Sequence, residues 1–128
     1  MNKRILSFLL AVLMVFGVCS VGLAAPRSAG GTCTMGVSGR TVTYTGDADS
    51  EQIEDFISVT ATLWEKRGSV WYQVDSTSKS ATNSDFIYTS DHFTVDGGHY
   101  YKVSATYYVR TNGVSYSSSS ETASRWIP

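Results

Sequence analysis

The sequence predicts an all-β protein: an antiparallel β-sandwich of about seven strands, preceded by an N-terminal signal-peptide helix. Three observations carry this. Residues 26–128 hold 31 Ser or Thr, residues that favour strands and turns, and show no 3.6-residue or heptad periodicity of useful length. The same span holds eleven Tyr or Trp at alternating positions, which a disordered chain lacks. Turn signals recur between short alternating runs, the spacing of a sandwich.

The N-terminus reads as a targeting segment. Lys3 and Arg4 precede a charge-free apolar run of fourteen residues, Ile5 to Val18, the length of a signal-peptide core. Gly22-Leu23-Ala24-Ala25 supplies the small residues a signal peptidase needs, so cleavage is expected after Ala24 or Ala25. Extended through Ala25, the run reaches the length of a membrane span, which keeps an uncleaved anchor as the alternative. Val18 before Cys19 is too bulky for a lipoprotein site. The expected division is 1–25 signal peptide, 26–31 flexible leader and 32–128 sandwich, with a secreted, extracellular product.

The mature chain carries eight Lys or Arg against eleven Asp or Glu, a formal charge of −3. Scattered basic residues in a mildly acidic chain argue against nucleic acid as a partner. Cleavage would remove Cys19 and leave Cys33 alone, which excludes an internal disulfide. Cys33 is then either an inert thiol near the first strand or a link to a second chain.

Within the domain, Thr32–Ser38 and Arg40–Gly46 form a strand pair around Ser38-Gly39, with Val42 and Tyr44 alternating with Thr41, Thr43 and Thr45. Gly46–Asp55 is an acidic loop with room for a helical turn at Asp49–Ile53. Ile57, Val59, Ala61 and Leu63 then share one face of a strand, and Ser58, Thr60, Thr62 and Trp64 the other. After the Lys66–Ser69 turn, Val70–Ser76 returns with Trp71 and Tyr72. A polar loop leads to a strand at Phe86–Val95. Gly97-Gly98 turns the chain into the longest strand, His99–Thr111, whose core face is Tyr101, Val103, Ala105, Tyr107 and Val109. Asn112-Gly113 is a strong hairpin signal, because both central positions of such a turn favour positive φ. Val114–Ser120 leads back, and Glu121–Trp126 continues that strand after a break.

The stretch GGHYYKVSATYYV resembles the penultimate strand of fibronectin type III and related immunoglobulin-like domains, where a Gly-x-x-Tyr corner precedes an alternating strand. The resemblance implies that the Tyr101 hydroxyl bonds the backbone. VTATLWEKRGSVWYQV, FTVDGGHYYKV and SSSSETAS, in that order behind a signal peptide, are similar to a family of small secreted bacterial proteins of Gram-positive type with no assigned function. Matching positions are Trp71 after the hairpin turn, then Phe93, Val95, Gly98 and Tyr101. This likeness implies the sandwich and secretion, and no active site.

Asp47, Asp49 and Glu51, with Glu54 and Asp55, are weak calcium candidates, since calcium takes six to eight oxygen ligands. The loop lacks the glycine and final glutamate of the calcium-binding helix–loop–helix motif: Gln52 and Ser58 stand there. His92 and His99, near Asp91 and Asp96, raise zinc as a further option. No Gly-x-Ser-x-Gly elbow occurs and no base is predicted beside Cys33, so no catalytic residue and no cofactor is expected. Trp64, Tyr100 and Tyr108 fall outside the inward alternation and are candidate ligand contacts, as an aromatic platform for carbohydrate or an extracellular protein. Alternatively they brace cross-strand pairs. The expected function is a non-enzymatic binding module, monomeric or weakly dimeric, with no membrane contact after cleavage. The alternatives are a self-associating protein using Cys33 or the uncharged edge at 115–120, and a calcium-stabilised module.

Overall fold

The computed structural model describes residues 29–128, so the expected signal peptide lies outside the described residues. These fold into seven strands and no helix: β1 (Ala29–Gly30), β2 (Cys33–Ser38), β3 (Thr41–Arg67), β4 (Val70–Thr94), β5 (His99–Thr111), β6 (Val114–Glu121) and β7 (Arg125–Ile127). All pairings are antiparallel.

Two strands are far longer than a typical one: β3 spans 27 residues and β4 spans 25. Each crosses from one layer to the other. The first half of β3 pairs with β2 and with the second half of β4, making a three-stranded layer to which β1 adds two residues. The second half of β3 pairs with the first half of β4 and with β5. Addition of β6 and β7 to β5 completes a second layer, four strands wide. The crossing in β3 falls at a register shift between Asp49 and Glu54. Across from it, Asn83 turns β4 with a φ of 50°, in the left-handed region where Asn is among the better-tolerated residues. The expected strands at 41–46 and 57–64, and at 70–76 and 86–95, are therefore continuous bent strands. Residues 49–53 are extended, not helical, and 77–85 are strand, not loop. Part of the expected leader is structured too, since Ala29 and Gly30 pair with Ser50 and Asp49.

The core is what the alternation predicts. Ile57, Val59, Ala61 and Leu63 from β3, and Tyr101, Val103, Ala105, Tyr107 and Val109 from β5, are buried. Across from them stand Val42, Tyr44 and Ala48 of the other layer, joined by Ile87, Val95 and Ile127. At Gly46 the layers come closest: a Cβ placed there would lie 3.1 Å from the Ala105 Cβ and 3.2 Å from both the Ala61 Cβ and the Val59 Cγ2. Asn112 and Gly113, with φ of 53° and 75°, close the β5–β6 hairpin as their sequence signal requires. β7 continues along β5 beyond the end of β6, pairing Tyr100 with Trp126.

The tyrosine corner is present and has a second partner. Gly97 N–H donates to the Tyr101 hydroxyl at 3.2 Å, and that hydroxyl donates to Glu65 Oε1 at 2.6 Å. Glu65 is 3% exposed and also accepts from Arg67 Nε at 2.7 Å. Burial raises the Glu65 pKa, but the hydrogen bonds from Tyr101 and Arg67, aided by the positive field of His99 and Arg67, outweigh it and leave it below its ordinary value.

Candidate functional site

Alternation places every second residue of the four-stranded layer on its outer face. On β3 these are Phe56, Ser58, Thr60, Thr62, Trp64 and Lys66; on β5 they are Tyr100, Lys102, Ser104, Thr106, Tyr108 and Arg110. Register brings Trp64 beside Lys102, Thr60 beside Thr106 and Phe56 beside Arg110. Trp71 faces the same way, because it pairs with Lys66. Trp126 joins them opposite Tyr100.

Trp64, Tyr100 and Tyr108 therefore share one outer face, but not one contiguous row. Each anchors a separate group. Tyr100 and Trp126 form an edge-to-face pair with ring centroids 5.2 Å apart, and are 46% and 51% exposed. Trp64 is half-buried, with Nε1–H donating to Ser104 Oγ at 2.8 Å. Beside it Lys102 Nζ lies 4.5 Å from the Trp71 ring centroid and 3.2 Å from Glu121 Oε2. These side chains line a shallow hollow of about 160 Å³. Tyr108 is half-buried at the far end, edge-to-face with Phe56 at 5.9 Å, and Arg110 stacks on Phe56 at 5.5 Å. Eight residues separate Tyr100 from Tyr108, about 26 Å of strand. Between the ends runs a hydroxyl-bearing strip, Thr60, Ser104 and Thr106, with Thr62 buried beside it.

Trp126 is the contact that the sequence reading does not single out. Its register depends on β7 resuming along β5 after residues 122–124, which no local pattern encodes. A signal existed in the alternation of Trp126 with the buried Ile127.

The acidic segment has another task. Asp47 accepts from Thr32 N–H at 3.0 Å and from Thr32 Oγ1 at 2.8 Å. The fully buried Glu54 accepts from Ser50 Oγ at 2.9 Å and from Thr111 Oγ1. Asp55 accepts from Asn112 N–H at 2.9 Å. These carboxylates tie the β3 crossing to the start of the domain and to the β5–β6 hairpin. Asp47, Asp49 and Glu51 do not converge, and no group of three or more His, Cys, Asp or Glu among the described residues could hold a metal ion. The calcium-stabilised alternative therefore finds no preformed ligand cluster among the described residues. The two histidines considered for zinc are likewise not brought together. His92 lies on the outer face of the three-stranded layer, whereas His99 opens β5 with Nδ1 3.0 Å from the Lys66 carbonyl oxygen, to which Nδ1–H donates.

Cys33 is half-buried at the margin between the layers. Its Sγ donates to the Val103 carbonyl at 3.6 Å and accepts from Ser120 Oγ at 3.6 Å. It packs on both halves of the core, the placement of the inert-thiol reading. A second cleft of about 320 Å³ opens between the two halves of β4, walled by Val74, Phe93 and Val95 and ending at Glu65, Arg67 and Asp96. The buried carboxylate there already has Tyr101 and Arg67 as partners.

These elements define an immunoglobulin-like β-sandwich that presents aromatic side chains on the outside of its wider layer. No protein-family profile matches the chain, and no curated protein matches it. Among solved structures it is similar to CsgH of R. palustris, at 13% identity and a TM-score of 0.42 over 71% of this chain and 89% of that one. A match to the sporulation control protein Spo0M of Bacillus subtilis has 12% identity and a TM-score of 0.38, over 73% of this chain and 47% of that one. A match to Bacteroides uniformis β-glucuronidase has 17% identity and a TM-score of 0.44, covering 73% of this chain and 13% of that one. The chain thus spans about half of Spo0M and a small part of the glucuronidase. The sandwich assignment stands on the strand register described above.

Proposed function

We propose that this protein is a secreted, non-enzymatic binding module that takes carbohydrate on the outer face of its four-stranded layer. The observation that carries this is the half-exposed Tyr100–Trp126 pair, set on the same rigid sheet face as Trp64 and Trp71. Aromatic rings that keep half their area in water offer apolar faces for the C–H surfaces of a sugar ring, while their polar tips stay hydrated. Lys102, Ser104 and the threonines beside them supply donors and acceptors for hydroxyl groups. Secretion rests on the basic–apolar–small order of residues 3–25. The non-enzymatic reading rests on the engagement of the buried carboxylates: Glu65 with Tyr101 and Arg67, and Glu54 with Ser50 and Thr111.

The test is a glycan array probed with the parent and with a Tyr100→Ala, Trp126→Ala double variant. Both side chains lie outside the core, so the melting temperature should change little. Binding of any array ligand should weaken by roughly tenfold or more if these rings are central contacts. Equal binding by parent and variant at equal stability would remove the platform from the account.

A further inference from the structure

The two outer faces of the sandwich carry opposite charge. On the four-stranded layer the charged outer positions are Lys66, Lys102 and Arg110 against Glu121. On the three-stranded layer they are Asp47 and Asp49, with His92 further along β4, and Lys79 reaches over from β4 to lie 5.8 Å from the Tyr88 ring centroid. Three of the six strand-borne Lys and Arg among the described residues, Lys66, Lys102 and Arg110, thus stand on the outer face of the aromatic side. Each of the three lies over a ring. Lys66 Nζ is 5.9 Å and Lys102 Nζ 4.5 Å from the Trp71 centroid, and Arg110 is 5.5 Å from that of Phe56. Only Lys102 has a carboxylate partner. Among the described residues none lies within ion-pairing distance of Lys66 or Arg110.

The opposite face supplies the control. Its exposed aromatic pair, Phe86 and Tyr88, sits directly across from Asp49 and Asp47 in the strand register. Neither rings nor a cation over a ring therefore distinguish the two faces, since Lys79 lies over Tyr88; the balance of outer-face charge does. On the wider layer the cations mark both ends of a track. Lys102 lies about 26 Å from Arg110 along β5 and Lys66 of β3 about 33 Å from the level of Arg110, with the hydroxyl strip between. A single sugar would meet one end only. A polymer lying along β5 would meet rings and a cation at each end, and hydroxyls in between.

We propose that the ligand of this face is an acidic polysaccharide, bound as an extended chain along β5 with its carboxylates near Lys66 and Arg110. This inference rests on the carbohydrate reading above. Lys66 and Arg110 act here as specificity-determining contacts, and the rings as the platform.

The experiment is a titration of the full-length protein with three probes: polygalacturonate, the same polymer with its carboxylates reduced to alcohols, and polyglutamate. Polygalacturonate should bind roughly fivefold more tightly than its reduced form, the scale of two exposed charge contacts. That preference should shrink at high salt, and should vanish in a Lys66→Gln, Arg110→Gln variant. The salt series needs no variant, so the inference stays exposed even if the substituted protein folds poorly. Equal affinity for the charged and reduced polymers would overturn the acidic-ligand inference and leave the platform standing. Polyglutamate bound as tightly as polygalacturonate would overturn it in another way, making the face a general polyanion surface. Failure to bind either polysaccharide would overturn this inference, while the glycan array described above decides the carbohydrate reading separately.

Discussion

Replacing Tyr101 with Phe is expected to destabilise the domain by about 2 kcal/mol, the scale of a lost hydrogen bond to a buried charged group. For about a hundred residues that corresponds to a melting temperature lower by roughly 10 °C. The ring still fills its place in the core, so no cavity forms. What goes is the hydroxyl that bonds Glu65 Oε1 at 2.6 Å and accepts from Gly97 N–H at 3.2 Å. Among the described residues no buried side-chain polar atom lacks a partner, and this substitution would take one from a carboxylate that is 3% exposed. The effect carries a pH signature. In the parent, the Glu65 carboxyl titrates below its ordinary value, because the Tyr101 and Arg67 hydrogen bonds outweigh the opposing effect of burial. A depressed folded pKa contributes stability that is fully present above the unfolded value of about 4.3 and is lost as pH falls through the folded value. Without the hydroxyl the depression shrinks. The parent–variant difference in melting temperature should therefore be full at pH 7 and narrow toward pH 3. The tyrosine itself, pushed up to about 12 by burial and by Glu65, stays neutral across that range. A difference that does not change with pH would show that the hydroxyl acts through packing alone.

Gly46→Val is expected to be at least as damaging, costing about 3 kcal/mol or more, the upper range for overpacking a filled core. The reason is space, since Gly46 is not among the positive-φ residues. Even a bare Cβ would touch Ala105, Ala61 and Val59 at 3.1–3.2 Å, closer than ordinary van der Waals contact. Three of the four residues at this crossing are Gly or Ala, which lets the two layers approach. Valine's two additional methyl groups would force them apart. Gly46→Ala should cost less, about 1 kcal/mol, and Ala105→Gly should recover part of it by vacating the nearest contact. Thermal melts of the four proteins check the series. Full stability in Gly46→Val would mean that the layers separate freely at this point, contrary to the packing described.

Period-2 alternation made the core faces of β3 and β5 legible, because burial of one face imposes that period directly. Tyr101 was legible as a corner because its hydroxyl bonds a turn only four residues upstream. Its second partner, Glu65, was not, since it is 36 residues away and set by the register of β3 against β5. The bends of β3 and β4 look like loops in the sequence. Asp49–Ile53 and Ser76–Asp85 are polar, and polar residues at a layer crossing look the same in sequence as those of a turn. The acidic segment suggested calcium because its carboxylates are close in sequence. Their hydrogen-bond partners, Thr32, Thr111 and Asn112, come from distant parts of the chain that no local pattern brings in. Of the proposed contacts, Trp64, Tyr100 and Tyr108 could be assigned a face by alternation. Their separation into three groups, and the pairing of Tyr100 with Trp126, depend on register across four strands.

The most direct test of the binding face is a nuclear magnetic resonance titration of nitrogen-labelled protein with the tightest ligand from the glycan array. The account predicts that the indole N–H signals of Trp71 and Trp126 and the amides of Tyr100 and Lys102 move together, while those of Asp47, Phe86 and Tyr88 on the opposite face stay still. Shifts confined to the Phe86–Tyr88 face, or to the cleft at Val74 and Phe93, would contradict it.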